Sequence, residues 1–442
     1  MDQGRIVKMN ITLHNLKPAG TIAAIPSKSH VHRLLIAAAL SERETVIKCD
    51  RSNDDIDATV RCLNALGAHI SFKDGLFSVQ PIRTLPKEAV LEVGESGSTL
   101  RFMLPVAAAL GITTTFKMKG RLPSRPLSPL MEEMIAHGVT FWKIKDTDHF
   151  TISGKMRGGN FTFDGGISSQ FTTGLLLAMA RIDEESSVTL TGKVESRPYI
   201  DLTLRTLRTF GFKVTADENT FSVGEKSEYA PSIITAEGDW SNAAFMLALG
   251  AFSEKGVNVS GLDFKSAQGD RAVFTLIDRF QGNAVITSGF CGFKKGEKDA
   301  VKSIDAANIP DLVPILSVLA ASAVGTTVIE NCGRLRLKES DRIASVCAMI
   351  NSLGGDAHAE GDSIVINGTG SLRGGTVDSA NDHRIAMSAA VASVICSEPV
   401  TITGAQAVRK SYPLFFDDLG ALCGQKITLE DEPKEIHHDI LR

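Results

Sequence analysis

The sequence lacks a long apolar stretch. Its longest mostly apolar run, Leu312 to Val324, falls well short of the roughly 20 residues that a membrane-spanning helix needs. Met1 to Asn10 holds no apolar segment ahead of a small-residue cleavage site, so no secretory signal is expected. Paired cysteines are missing too. The seven cysteines, at 49, 62, 291, 332, 347, 396 and 423, form no C-x-x-C pair, which points away from a disulfide framework or a zinc cluster. Reduced thiols in a cytoplasmic protein are the simpler reading. Positive charge is not in excess either. Against 47 Lys and Arg stand 51 Asp and Glu, a formal net charge of −4, which argues against a general nucleic-acid binder. No P-loop, no G-x-G-x-x-G after a strand and no H-E-x-x-H occurs, so nucleotide and metal chemistry have no motif to rest on.

What is present is the composition of a soluble globular protein, with 43% hydrophobic and 22% charged residues. At about 150 residues per domain, 442 residues suggest two or three domains. An internal period then refines that estimate. Six segments share one plan: an amphipathic helical stretch, a glycine to stop it, then two short alternating segments. Their glycines are Gly67, Gly138, Gly211, Gly282, Gly354 and Gly420, at steps of 66 to 73 residues. Ile70 and Phe72, then Phe77 and Val79, alternate across Lys73-Asp74-Gly75 as a hairpin would. A second series of Ala- and Leu-rich helices lies between, each opened by a polar cluster, marked at Ser29, Ser98, Ser169, Ser241, Pro310 and His383. Its steps are 69 to 73 residues. Two independent markers give one period, so six βαβαββ units are expected, with the second helix series buried. Six units exceed a single core, and an even split gives two domains of three units. Glu228 to Gly238, which carries Pro231 and no helical pattern, is the expected boundary.

The polar clusters that open the buried helices are where chemistry is expected, because helix N-termini offer free N–H groups and partial positive charge to anions. Lys28, in the run Pro26 to Arg33, opposes its own helix dipole; a snorkelling surface lysine is the alternative. Arg33 follows one and a half turns later. Ser168-Ser169-Gln170 sets three hydrogen-bonding side chains at a helix start, of which a cap explains one. Asp311, after Pro310, reads as a helix cap or as a functional acid. Asn381-Asp382-His383-Arg384 again puts cations at an N-terminus. Arg334 to Arg342 holds four cations with Glu339 and Asp341, either a solvated face or a binding loop. Arg121 and Arg125 stand in a proline-bounded loop, and Arg409-Lys410 comes near the end. If the repeats bring these ends together, two cationic faces would oppose one another. Such a cleft suits small molecules carrying phosphate and carboxylate. Composition and spacing stop there, at an enzyme or binding protein for small anions.

The same clusters resemble those of the 5-enolpyruvylshikimate-3-phosphate synthase family of enolpyruvyl transferases. The resemblance rests on PSKSHVHR at 26–33, ESGSTLRFM at 95–103, SRP at 124–126, GGISSQ at 165–170 and SRPYIDLTL at 196–204. It continues through IPD at 309–311, RLKESDR at 336–342, NDHR at 381–384 and RKSYP at 409–413. The fold it implies is mixed α/β: two domains, each three βαβαββ units about a pseudo-threefold axis, an inside-out α/β barrel. Domain 1 would be 1–21 plus 236–442 and domain 2 would be 22–235, with the active site in the cleft between them. The implied reaction moves the enolpyruvyl group of phosphoenolpyruvate to the 5-hydroxyl of shikimate 3-phosphate and releases phosphate.

By the same resemblance, Lys28, Gly97, Arg125, Gln170, Arg342, Arg384 and Lys410 would contact phosphoenolpyruvate. Lys28, Ser29, Arg33, Ser168, Ser169, Gln170, Ser196, Asp311 and Lys338 would contact shikimate 3-phosphate. Asp311 would be the base on the hydroxyl and Glu339 the proton shuttle at the methylene, with Lys28 also catalytic. Tyr199, Asp382 and His383 would support them. No cofactor, metal, nucleic acid or membrane is implied, and a cytoplasmic monomer is expected. Two positions depart from the family pattern. Glu95 stands where many members carry Asn, and an acid there would repel bound phosphate unless paired or turned away. Arg334 replaces an expected Asn, which weakens the case for a substrate contact. The related transferase acting on UDP-N-acetylglucosamine typically uses a loop cysteine in the second repeat, and this chain has no cysteine between Leu63 and Phe290. A non-catalytic relative would be expected to lose Asp311 and Glu339, and both are present.

Overall fold

A computed structural model describes residues 9–224, 229–297 and 299–431; the N-terminal segment read for a signal lies largely outside these, as does Glu228 of the expected boundary. Among the described residues, twelve α-helices alternate in character. The buried series is α1 (Lys28–Ala39), α3 (Gly97–Leu110), α5 (Ser169–Met179), α7 (Trp240–Phe252), α9 (Val313–Ala321) and α11 (His383–Ala392). Between them come α2 (Asp54–Ala65), α4 (Leu130–Ala136), α6 (Arg197–Thr209), α8 (Ala272–Arg279), α10 (Arg342–Ser352) and α12 (Phe415–Cys423), each with one face exposed. The expected period is therefore the period of the fold.

Each unit makes one four-stranded sheet, six in all among the described residues. In the second unit, Glu88–Gly94 runs parallel to Thr113–Met118 with α3 as the crossover, the geometry that parallel pairing requires. The hairpin of Thr140–Lys143 and Phe150–Ser153 then adds antiparallel to Thr113–Met118. In the first unit the hairpin of His69–Lys73 and Leu76–Gln80 closes through Asp74 and Gly75, both at positive φ (50° and 75°), as a two-residue turn demands.

Two strands are exchanged between units. Gly20–Ala23 precedes α1 in sequence but pairs with Val257–Ser260 of the fourth unit. Ile233–Thr235, which precedes α7, pairs with Thr45–Lys48 of the first. The chain thus crosses between the two halves twice, and the crossings bond to each other: Ser27 N donates to Glu237 O at 2.7 Å and Asp239 N to Ile25 O at 2.8 Å. The sixth hairpin also differs from expectation. Gln425 to Leu429 form no strand; instead Met9–Leu13 pairs antiparallel with Val400–Thr403, and Glu430–Asp431 adds beside it. A local hairpin pattern could not reveal a strand supplied from the other end of the chain.

The stop glycines hold at four of six places, Gly67, Gly138, Gly211 and Gly354, all at positive φ. At the fifth, Gln281 takes the left-handed conformation (φ 60°), while Gly282 leaves room for Ile277, whose Cγ2 would lie 2.8 Å from a Cβ. At the sixth, Gly420 is inside α12 and Gly424 (φ 65°) is the cap. Apolar side chains form two separate cores. One runs from Val31 to Ala230; the other joins Ile11, Leu13, Leu16 and Ile25 to residues from Trp240 to Leu422. All seven cysteines are free, and burial pushes the thiols of Cys49, Cys62, Cys332 and Cys396 up to about 12, so they are poor nucleophiles.

Helices α3 and α5 approach closely because residue 174 is glycine: a Cβ there would lie 2.2 Å from the Arg101 carbonyl oxygen. That approach also sets Arg101 beside Gln170. Gly174→Ala should therefore cost about 1–3 kcal/mol through overpacking, seen as a lower urea midpoint with an unchanged slope. An unshifted midpoint would mean that the two helices have slack.

Candidate active site

The buried helices of both halves point their N-termini at one cavity. Six of the helices around it are capped by side chains that leave the first turn facing the cavity: Ser27 on α1, Ser96 on α3, Ser168 on α5, Asp239 on α7, Asp341 on α10 and Asp382 on α11. Lys28, first residue of α1, is no surface lysine. Its side chain is 14% exposed and its ammonium lies 2.9 Å from Asp55 Oδ2, in the first turn of α2. Burial works against its charge, but Asp55 and then Glu339 outweigh it and hold the pKa above the ordinary value.

Two buried arginines of the N-terminal half, Arg33 and Arg101, have no carboxylate partner among the described residues. Arg33 Nε donates to Thr203 Oγ1 at 2.8 Å, and its other nitrogens reach Ser29 O, Thr173 Oγ1 and Tyr199 O. Arg101 donates to Gln170 Oε1 at 3.3 Å and Pro126 O at 3.1 Å. Burial lowers each guanidinium to about 9, with Arg125 adding to the effect at Arg101. Buried cations without a counter-ion are costly unless a ligand supplies one. Gly97 lies between Arg125 and Arg101; a Cβ would stand 2.6 Å and 2.7 Å from their Nη1 atoms. Gln170 Nε2 donates to Ser98 Oγ at 3.1 Å.

The opposite wall is built on Arg342, 1% exposed at the start of α10. Its Nη1 is 2.7 Å from Asp311 Oδ1, its Nη2 2.7 Å from Glu339 Oε2 and its Nε 2.8 Å from Asp382 Oδ2. Arg384 Nη2 (3.3 Å) and Lys338 Nζ (3.6 Å) also reach Asp311. Burial would raise both acids, but Arg384, Lys338 and Arg342 at Asp311, and Arg342 then Arg125 at Glu339, hold each carboxyl well below its usual range. Burial lowers Lys338 to about 8, with Asp311 opposing. Burial, then Lys28 and Arg384, keeps His383 neutral; Nδ1 stands 3.9 Å from Asp382 Oδ1, and neither ring nitrogen makes a hydrogen bond among the described residues.

The alternatives left by the sequence now separate. Asp311 caps nothing, since α9 starts after Leu312 without a side-chain cap. In the Arg334–Arg342 run only Arg336 and Asp341 belong to a solvated face, 3.5 Å apart and each about 40% exposed. Ser29, Ser168, Ser169, Ser196 and Tyr199 line the cavity with the residues above. Lys410 is not among the residues that line the cavity; it lies 2.6 Å from Glu95 Oε2, so the expected repulsive acid is paired. Arg334 bonds to Glu195 at 2.5 Å, to Ser196 Oγ at 2.9 Å and to Ala307 O at 2.8 Å, so its donors bind protein groups. Those bonds, with Arg125–Glu339 (3.8 Å), draw the two halves into contact. Among the described residues no group of three His, Cys, Asp or Glu is placed to hold a metal.

Sequence reasoning missed Asp55, Arg101, Asp239 and Asp270. Arg101 left a signal, an arginine inside an apolar helix; Asp55 in the first turn of α2, Asp239 at a cap and Asp270 in a short 3-10 turn meet partners remote in sequence. Asp239 caps α7 and its Oδ2 also accepts from Lys28 N at 3.1 Å. Asp270 accepts from the Tyr199 hydroxyl at 2.7 Å, which is 3.4 Å from Asp311 Oδ2.

Comparison with known proteins bears on this geometry. A family model for EPSP synthase (3-phosphoshikimate 1-carboxyvinyltransferase) matches residues 15–419. A 3-phosphoshikimate 1-carboxyvinyltransferase of Clostridium kluyveri is 36% identical over 417 residues, 94% of this chain and 97% of that protein. One from Brachyspira hyodysenteriae is 35% identical over 425 residues, 95% of this chain and all of the other. Among solved structures, EPSP synthase of Acinetobacter baumannii superposes with a TM-score of 0.76 at 25% identity, covering 96% of this chain and 100% of that one. The enolpyruvyl transferase NikO of Streptomyces tendae superposes with a TM-score of 0.76 at 16% identity, over 97% of this chain and 100% of its own, a likeness of fold.

Asp270 generates a pH prediction. Burial, then the charge of Asp311, pushes its carboxyl from 3.8 up to about 7, while Arg384 and the Tyr199 hydroxyl oppose and Asp239 adds to the rise. A raised carboxyl holds its proton more tightly when folded. Its ionisation therefore costs stability that is absent below about pH 4, grows up to about pH 7 and is constant above. The melting temperature of Asp270→Asn relative to the parent should become more favourable between those limits and then level off. A difference that does not change with pH would remove Asp270 from the list of raised carboxyls.

Proposed function

The chain belongs to the EPSP synthase family and performs enolpyruvyl transfer in the shikimate pathway, and from that premise we propose which residues carry each step. It transfers the enolpyruvyl group of phosphoenolpyruvate to the 5-hydroxyl of shikimate 3-phosphate and releases phosphate. The working unit is two domains, expected as 1–21 plus 236–442 and 22–235. The separate cores and the paired crossings support two bodies, but Ile25 packs in the core of the first, so the crossing falls after residue 25 and not at 21/22.

Shikimate 3-phosphate binds to Ser29, Arg33, Ser168, Ser169, Gln170, Ser196 and Lys338, where buried donors await an anion. Phosphoenolpyruvate binds to Lys28, Arg125, Gln170, Arg342, Arg384 and Lys410, with Gly97 leaving the space. Glu339 protonates the methylene, which makes the neighbouring carbon electrophilic. The 5-hydroxyl oxygen attacks that carbon and gives its proton to Asp311. Phosphate then leaves the tetrahedral intermediate while one methyl proton returns to the Glu339 carboxylate, restoring the double bond and the acid. The cations hold the charges in a largely dry cavity.

One observation carries this assignment: a single guanidinium, Arg342, holds both carboxylates at 2.7 Å, so acid and base flank one point. Glu339 is ionised in the free site, because cations without ligands act on it alone. Bound phosphate and carboxylate share those cations, which raises Glu339 toward a proton-carrying range. The reading extends to a cytoplasmic monomer, with the unpaired thiols fitting a reducing compartment.

Asp311→Asn and Glu339→Gln nearly preserve shape while removing a carboxylate. In a phosphate-release assay each should lose about 10²–10⁴ in turnover with affinity changed modestly. Lys28→Ala should abolish turnover. If melting temperature falls in the two amide variants while turnover holds, the acid and base are wrongly assigned.

A further inference from the structure

Every cation of the phosphoenolpyruvate end has a carboxylate beside it in the free site, and most of those carboxylates have other duties. Asp311 and Glu339 are the proposed base and acid, Asp382 caps α11, and Asp55 stands in the first turn of α2. Glu95 does none of these things. The cap of α3 is the next residue, Ser96, whose side chain accepts from Thr99 N.

Its surroundings nonetheless fix the Glu95 carboxylate in one place. Oε2 lies 2.6 Å from Lys410 Nζ and accepts from Asn381 Nδ2 at 3.0 Å. Lys410 Nζ also donates to Asn381 O at 2.7 Å. Ala380 and Asn381 both take positive φ (51° and 54°), a conformation unusual for two successive non-glycine residues, which turns the amide and carbonyl of Asn381 toward this pair. Behind the carboxylate is Gly120 (φ 57°), where a Cβ would stand 2.6 Å from Glu95 Cδ. The two charges come from opposite halves of the molecule and are only 25% and 14% exposed.

We propose that Glu95 is a specificity-determining residue, an internal anion that occupies Lys410 until an anionic group of phosphoenolpyruvate displaces it. The proposal rests on the reading that Lys410 contacts phosphoenolpyruvate. A ligand must then out-compete a tethered carboxylate, which sets a charge threshold at this end of the cavity. Dianionic and trianionic ligands pass it more readily than weakly charged ones. After transfer, the carboxylate reclaims Lys410 as phosphate leaves. The shikimate 3-phosphate end, on Arg33 and the serines, does not feel it directly.

The test is steady-state kinetics on the parent, Glu95→Gln, Lys410→Met and the double variant, each checked for an unchanged melting temperature. Glu95→Gln should lower the KM for phosphoenolpyruvate by about two- to fivefold, the span of a partly exposed ion pair, and leave the KM for shikimate 3-phosphate unchanged. Lys410→Met should raise the KM for phosphoenolpyruvate, and in that background Glu95→Gln should change it little, because the competition is gone. If Glu95→Gln leaves that KM unchanged or raises it while Lys410→Met raises it, Glu95 orients the lysine and does not compete, and the proposal fails alone. If Lys410→Met leaves the KM unchanged, the placement of Lys410 fails and takes the proposal with it.

Discussion

A buried guanidinium is costly without acceptors, and Arg342 meets that constraint by drawing three carboxylates from three segments to one point. Asp311 precedes α9, Glu339 lies in the loop before α10, and Asp382 caps α11. Removing water from so many charges costs several kcal/mol per ion unless the geometry is good and the remaining lone pairs are used. Here they are used: Asp382 also accepts from Ser340 and caps Arg384 N, and Asp311 takes Lys338 and Arg384. Against burial, Asp382, Glu339 and Asp311 hold the Arg342 charge more firmly than usual. The C-terminal wall of the cavity is therefore rigid before any substrate arrives.

The N-terminal wall is built on the opposite principle. Arg33 and Arg101 are buried with hydroxyl, carbonyl and amide acceptors only, and burial lowers their affinity for the proton they carry. Such a wall is under-satisfied and gains most from an anion. The pairing of an over-satisfied face with an under-satisfied one suits a reaction in which phosphate binds on one side and protons move on the other. Tyr199 joins the two, since its hydroxyl, on α6, donates to Asp270 of the other half.

Rigid walls need a frame that places them within tenths of an ångström, and the exchanged strands supply it. Because Gly20–Ala23 and Ile233–Thr235 each pair with the other half's sheet, α1 and α7 begin side by side where the crossings bond. Lys28 N meets Asp239 there, so the base of the cavity is a junction of both crossings.

The sequence by itself determined the period, the two helix series and the clusters that open the buried helices, because these follow from local periodicity and capping chemistry. It also marked Lys28 as a cation where helix stability would not put it, and passed over Arg101. It could not determine that Met9–Leu13 closes the last sheet, that Gln281 turns the chain in place of Gly282, or that two strands are exchanged. Pairing across hundreds of residues leaves no local trace. Whether Asp311 capped a helix or met an arginine, and whether Glu95 repelled a ligand or held Lys410, was equally undecided. A carboxylate looks the same in sequence whatever charge it faces; only the tertiary structure brings that charge to within 2.6–2.7 Å of it.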